Sequence, residues 1–385
     1  MKTKAKLGLL ICGCLVTFGI ILGSYTVHNR LPVWTPINFN RTFEDHLAGH
    51  VSTILDQEGN FISKTARTVV PGDEIITANG KHYKIISVNN EYAEAKLLGI
   101  DQELLGWYQY FDGEVAPAIK NFGANKSQVA IYHTHSDESY VPSDGSAAQP
   151  GKGGILKVGA AMAQSLMKQG LNVIHDKTPH EPHDAQAYMR SRKTATQLLK
   201  KNPVALFDVH RDGVPDADFY RRNIDGKEVT QCRLVIGRQN SKMKSNLDFA
   251  KRLMAAANKR HPNLVKEIFL GKGNYNQDLM STALLIEVGT HTNSRERAQN
   301  GVALLADVVP SVLGAAGFQK GGGAQGWNTI LWIAGIAIVG GLAFLVVSSG
   351  GLKQARERLR NFTGKELELG KVNQQDDSGQ KDGEK

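Results

Sequence analysis

Between residues 126 and 317, short apolar runs alternate with longer stretches of helical periodicity, and this alternation restricts the fold more than any other feature of the chain. Runs at 128–133 (QVAIYH), 171–175 (LNVIH), 203–209 (PVALFDV), 232–237 (CRLVIG) and 282–288 (TALLIEV) read as strands. Helical patterns fill 154–169, 184–200, 242–260 and 294–317. Strands this continuously apolar suit a sheet covered on both faces. The expected fold is therefore α/β, with a mostly parallel sheet flanked by helices. Ligands of such sheets gather at the carboxyl ends of the strands.

Residues 38–115 differ. Short alternating runs (TILDQEGNFISKTA, DEIITANGKHYKIISV, EYAEAKLLG) predict a small β module. Asn79-Gly80 predicts a hairpin with a type I′ turn, which needs positive φ at both central residues, and Pro71-Gly72 marks another break. His46, His50 and His82 are scattered here and read as ordinary surface or structural histidines.

Two uncharged segments flank these regions. Residues 7–25 follow Lys2, Lys4 and Lys6, and are about long enough to span a bilayer, which takes roughly 20 residues. No small-residue cleavage pattern closes the segment, so 1–25 is expected to be a cytoplasmic stub and an uncleaved anchor. Residues 327–349 form a second expected span, with Trp327 and Trp332 near one edge and Lys353, Arg356, Arg358 and Arg360 beyond the other. The positive-inside rule puts both ends in the cytoplasm and residues 26–326 outside. The tail, 350–385, is polar and is expected to be disordered. Only Cys232 lies outside the first apolar segment, so no disulfide framework or CxxC metal knuckle is available. The net charge of +9 suggests an anionic partner such as a membrane surface or wall polymer. Without an arginine-rich arm or stacking-aromatic motif, nucleic acid is not expected.

The strand-end rule organises the polar residues. His133 and His135 close the first strand, His210 closes ALFDVH, and Glu287 closes LLIE. Buried carboxylates and imidazoles at apolar strand ends are costly unless paired or metal-bound. His135, Glu138 and a distant His210 make a two-His, one-Glu set, as in catalytic zinc sites of the carboxypeptidase type. A bend could recruit His133 as a ligand too, and His135 is preferred over it. Zn2+ is the expected cofactor. Glu287, in an apolar strand with no basic neighbour in sequence, is the expected general base. Asp208 or Asp212 would orient an imidazole. Arg211 would clamp a substrate carboxylate or oxyanion, or lie on the surface. His183 and Asp184 open a helix, where Asp caps well, and Arg190 and Arg192 read as its solvated face.

IYHTHSDESY, HDAQAYMRSRKTA, LFDVHRD, YNQDL and LLIEVGTHTN together closely resemble the stage II sporulation protein P family of endospore-forming bacteria, over roughly residues 40–317. That resemblance implies a zinc N-acetylmuramoyl-L-alanine amidase acting on peptidoglycan, with endopeptidase action on cross-links as well. It also implies work at the sporulation septum during engulfment, beside a lytic transglycosylase and a membrane protein (stage II sporulation proteins D and M). The second apolar span departs from the family pattern, which carries one N-terminal anchor. Two other readings are a metal phosphoesterase, from the His-x-His and Asp-x-His spacings, and a non-enzymatic membrane-anchored wall-binding protein.

Overall fold

A computed structural model describes residues 51–112, 128–184, 186–315 and residue 351. Segments 7–25 and 327–349, His46, His50 and the tail lie outside the described residues. Among the described residues, no helix is long and apolar enough to cross a membrane. Contacts divide the chain into one unit up to Gly314 and another from Ala315.

The β-rich stretch holds β1 (Ser52–Asp56), β2 (Phe61–Thr65), β3 (Glu74–Thr77), β4 (Lys81–Asn89) and β5 (Tyr92–Ile100). Helix α1 (Gln102–Tyr110) follows, its first turn capped by Asp101, which accepts from the Leu104 N–H. The second stretch runs β6 (Gln128–Tyr132), α2 (Val141–Asp144), α3 (Ile155–Lys168), β7 (Asn172–His175), α4 (Ala187–Leu199), β8 (Ala205–Asp212), β9 (Arg221–Ile224), β10 (Lys227–Thr230), β11 (Cys232–Gly237), α5 (Met243–Arg260), β12 (Val265–Gly271), β13 (Ala283–Thr290) and α6 (Arg295–Ala315). The α/β alternation read from the sequence is present. Strand β12 and the β9–β10 hairpin were not anticipated.

Eleven strands form one sheet in the order β2-β1-β5-β4-β3-β12-β11-β13-β8-β6-β7. The expected mostly parallel sheet is in fact mixed. β7, β6, β8 and β13 are parallel neighbours, but β11 runs antiparallel to β13, and β3 antiparallel to β12. The reason lies in the connection. β8 leads to β11 through the β9–β10 hairpin, with no crossover helix, so nothing compels a parallel return.

The β-rich stretch is continuous with this sheet through β3 and β12. It also shares a core with it. Ile54, Val69, Ile75, Ile85 and Ala95 pack in one buried cluster with Val235 of β11, Phe269 of β12 and Leu285 of β13. The β3–β4 hairpin forms at Asn79-Gly80 as expected, but its turn differs. Gly80 has φ +83°, whereas Asn79 is not in the left-handed region and instead accepts from Thr77 Oγ1 and the Lys81 N–H.

β8 and β13 are buried along their whole length and pair in parallel, with Glu287 opposite His210. Beyond Glu287 the register shifts, so that Thr290 meets Asp212. Gly289, at φ +67°, makes that bulge possible, since a Cβ there would meet Thr230 Cγ2 at 2.7 Å.

Candidate metal centre

β6 ends at Tyr132, and the chain turns through residues 133–140 at the carboxyl edge of the sheet. The first anchor of this turn is Asp208, on β8. It accepts from the Thr134 N–H (2.8 Å) and Thr134 Oγ1 (2.6 Å). Thr134 Oγ1 also meets Ser191 Oγ of α4 at 2.8 Å. The second anchor is Glu138, whose Oε2 accepts from the Arg211 N–H at 2.8 Å. Gly153 packs so closely beneath the turn that a Cβ would sit 2.5 Å from the carbonyl oxygens of Ser136 and Glu138.

These anchors bring His135, Glu138 and His210 together, all buried, with one ligand atom from each lying within 4.8 Å of the others. Glu138 Oε1 is 3.6 Å from His135 Nδ1 and 3.4 Å from His210 Nδ1. The far nitrogen of His210, Nε2, is 2.9 Å from Asp208 Oδ1. His135 stacks on His183 with ring centroids 3.8 Å apart, and Tyr188 packs at its edge at 5.5 Å. His183 Nδ1 in turn meets Asp137 Oδ1 at 3.0 Å.

The electrostatics divide the two imidazoles. Burial pushes His135 down to about 4, despite the Glu138 carboxylate beside it. Burial also opposes a charge on His210, but Asp208 and Glu138 outweigh it and raise its pKa to about 10. Glu138 stays well below the usual carboxylate range, because His210 and His135 overcome its desolvation. His210 therefore favours its charged form between two carboxylates, where a bound cation would take over that charge.

His133 does not join this group. Its Nδ1 meets the Val209 carbonyl at 2.8 Å and its Nε2 meets His175 Nε2 at 2.8 Å. Once the strand ends at Tyr132, the turn carries His133 and His135 to different neighbours. Asp208 meets an imidazole, that of His210. Asp212 does not: it accepts from Tyr220 Oη (2.9 Å), Arg233 Nη1 (2.6 Å) and the N–H groups of Ala66 and Gly213. Arg211 is buried, and its guanidinium donates to the carbonyls of Ser139, Asp212 and Ala147, so it is not a surface residue. Asp184 is not the cap of α4, whose N-cap is Gln186 without a side-chain bond; it accepts from the Gln186 N–H just ahead of the helix. Arg190 and Arg192 pair with Asp184 and Asp278.

Glu287 is buried and lies opposite His210 in the β13–β8 register; it has no basic neighbour in sequence, but it has two in space. Arg67 Nε donates to its Oε1 at 2.6 Å, and Arg233 Nη1 to its Oε2 at 3.0 Å. Burial and the Asp212 charge raise its pKa, and the two arginines pull against them. The sequence reading missed both arginines, as well as Tyr188 and the role of His183 beside His135. Arg67 lies 220 positions from Glu287, in a stretch without ligand-type clusters, so no local pattern connects them.

Residues 55–310 match the model of the family described as Stage II sporulation protein P. The Stage II sporulation protein P of Bacillus subtilis (strain 168) is 30% identical over 240 residues, covering 57% of this chain and 59% of that relative's length. Two solved structures show a partial likeness. The N-acetylmuramoyl-L-alanine amidase of Clostridium difficile 630 aligns with a TM-score of 0.31 at 16% identity, over 51% of this chain and 99% of that one. The CwlD amidase of Clostridioides difficile, in complex with the GerS lipoprotein, aligns with a TM-score of 0.32 at 12% identity, over 47% and 95%. Scores this low mark a likeness and nothing more.

Proposed function

The chain belongs to the stage II sporulation protein P family, and from that premise we propose that it is a zinc-dependent peptidoglycan hydrolase of sporulating cells. Its expected action is that of an N-acetylmuramoyl-L-alanine amidase, cutting the amide between the muramic acid lactyl group and the stem peptide. The observation that carries this reading is the buried His135–Glu138–His210 group with Asp208 behind His210. The donor set fits zinc. Tetrahedral zinc with bonds of about 2.0–2.1 Å separates its ligand atoms by about 3.3 Å, and the two spacings to Glu138 Oε1 are 3.4 and 3.6 Å. Asp208 supplies the carboxylate partner that a ligating imidazole commonly has.

When bound, zinc would supply a Lewis acid for the scissile carbonyl and acidify water. Glu287 would accept the proton of the attacking water and pass it to the departing amine nitrogen as the C–N bond breaks. Its burial suits that task, since a raised carboxylate pKa approaches the working pH. Segments 7–25 and 327–349 would hold the chain at the membrane, with the hydrolase on the outer side facing the wall. A lytic transglycosylase and a membrane protein of the engulfment machinery are its expected partners.

The phosphoesterase reading calls for two or three metals, and the described residues hold one group of three ligands. The test is digestion of purified sacculi by the detergent-solubilised full chain, with mass spectrometry of the products. Free stem peptides and peptide-free glycans are expected. Uncrosslinked muropeptides would mean endopeptidase action instead. Intact sacculi with zinc loaded would overturn the hydrolase reading, and release of phosphate from a diester would favour the phosphoesterase.

A further inference from the structure

We infer that Arg67, delivered by the β-rich stretch, is a positioning residue for Glu287, so that this stretch forms part of the hydrolytic site. The inference rests on the reading of Glu287 as the general base.

Three observations converge. The first is the contact itself: Arg67 Nε to Glu287 Oε1 at 2.6 Å, with both side chains buried. The second is that β2 and the residues after it are tied to the far strands over their whole length. Ser63 Oγ donates to Glu267 Oε1 at 2.6 Å, Arg233 Nη2 donates to the Lys64 carbonyl at 2.6 Å, and the Ala66 N–H donates to Asp212 Oδ1 at 3.2 Å. In the sheet order β2 is the terminal strand, seven places from β13. Side chains nevertheless join them directly, so the β-rich stretch folds back over this face. The third is aromatic support. The Arg67 guanidinium lies 5.1 Å from the Tyr275 ring, Tyr275 packs on Tyr188 at 5.2 Å, and Tyr188 reaches the ring of His135. Arg67 thus touches Glu287 directly and connects, through Tyr275 and Tyr188, to His135.

The two arginines meet different oxygens of Glu287, Arg67 at Oε1 and Arg233 at Oε2. Arg233 already serves Asp212, Glu267 and Glu287 from the opposite side. The terminal torsion of glutamate is broad. Arg67, at 2.6 Å from Oε1, narrows it, and small misplacements of a reacting group carry large rate losses.

The experiment has two arms. In the first, Arg67→Ala in the zinc-loaded full chain lowers kcat on sacculi or muropeptides by about 100-fold, the low end for lost acid–base function, with KM unchanged. Added guanidinium restores a tenth or more of the loss, and Arg67→Lys restores part of it. In the second, metal-free protein is melted as a double-mutant cycle. Arg67→Ala lowers Tm while Glu287 is present and has little effect in a Glu287→Gln background. Wild-type kcat in Arg67→Ala overturns the inference, as does a loss that neither guanidinium nor lysine relieves. If the wild-type protein leaves sacculi intact, the hydrolase reading fails, while the melting cycle still reports whether the two residues are coupled.

Discussion

Asp208 holds one ring nitrogen of His210 at 2.9 Å and so turns the other, Nδ1, to within 3.4 Å of Glu138 Oε1. Asp208 is itself fixed by both the N–H and the hydroxyl of Thr134. One carboxylate therefore sets the ring orientation of one proposed ligand and the backbone next to another. Asp208→Asn should lower zinc affinity by about 10- to 100-fold, the usual cost of a lost outer partner. Competition against a chromogenic chelator measures it.

Zinc should enter by expelling a proton. With His210 raised to about 10, the metal-free site is protonated at neutral pH, and the ligand must be deprotonated to bind. Affinity should rise close to tenfold per pH unit through the neutral range and level off as pH nears about 10. Titration calorimetry in two buffers of different ionisation enthalpy should give about one proton released per zinc at pH 7.

Acid should destabilise the metal-free fold through other imidazoles. Burial holds His133 and His135 at about 4 and His175 at about 3. The unfolded chain, with histidine near 6.5, binds protons that the native state refuses. This contribution is present above pH 6.5 and is lost as pH falls towards 4 and then 3. His210 behaves oppositely, adding stability below pH 6.5 that disappears as pH rises through about 10. Tm against pH in the presence of chelator should therefore fall on the acid side, and Tyr or Phe at His175 should flatten that limb.

Gly153→Ala should act on the metal without touching a ligating side chain. The new methyl would lie 2.5 Å from two backbone carbonyl oxygens, those of Ser136 and Glu138, and backbone cannot swing aside as a long side chain can. Displacing this turn should cost about 1–3 kcal/mol of stability and weaken zinc binding. Gly151→Ala, at a position where a Cβ meets nothing within 4 Å, would test backbone strain at φ +71° alone.

Much of the site was legible because it follows the sheet. His135 and Glu138 lie in the turn that follows β6, His210 and Glu287 lie near the ends of β8 and β13, and the apolar composition of those strands marked all four; alternation put Asp208 on the His210 face. What escaped was governed by contacts that leave no pattern. β11 looks like any other buried strand, and its antiparallel direction depends on the hairpin before it. Arg211 reads as a surface cation because its partners are backbone carbonyls, which carry no sequence signature. Arg67 meets Glu287 only because β2 returns across the sheet.

The core shared by Ile54, Ile75 and Ile85 with Val235, Phe269 and Leu285 has a consequence for how this protein can be cut and recombined. A chimera that took residues 128–315 from one relative and residues 51–112 from another would inherit a mismatched interior and a foreign residue against Glu287. A protease acting between residues 67 and 70 would not leave the rest of the site untouched. It would sever from the main sheet the side chain that bonds Glu287 Oε1.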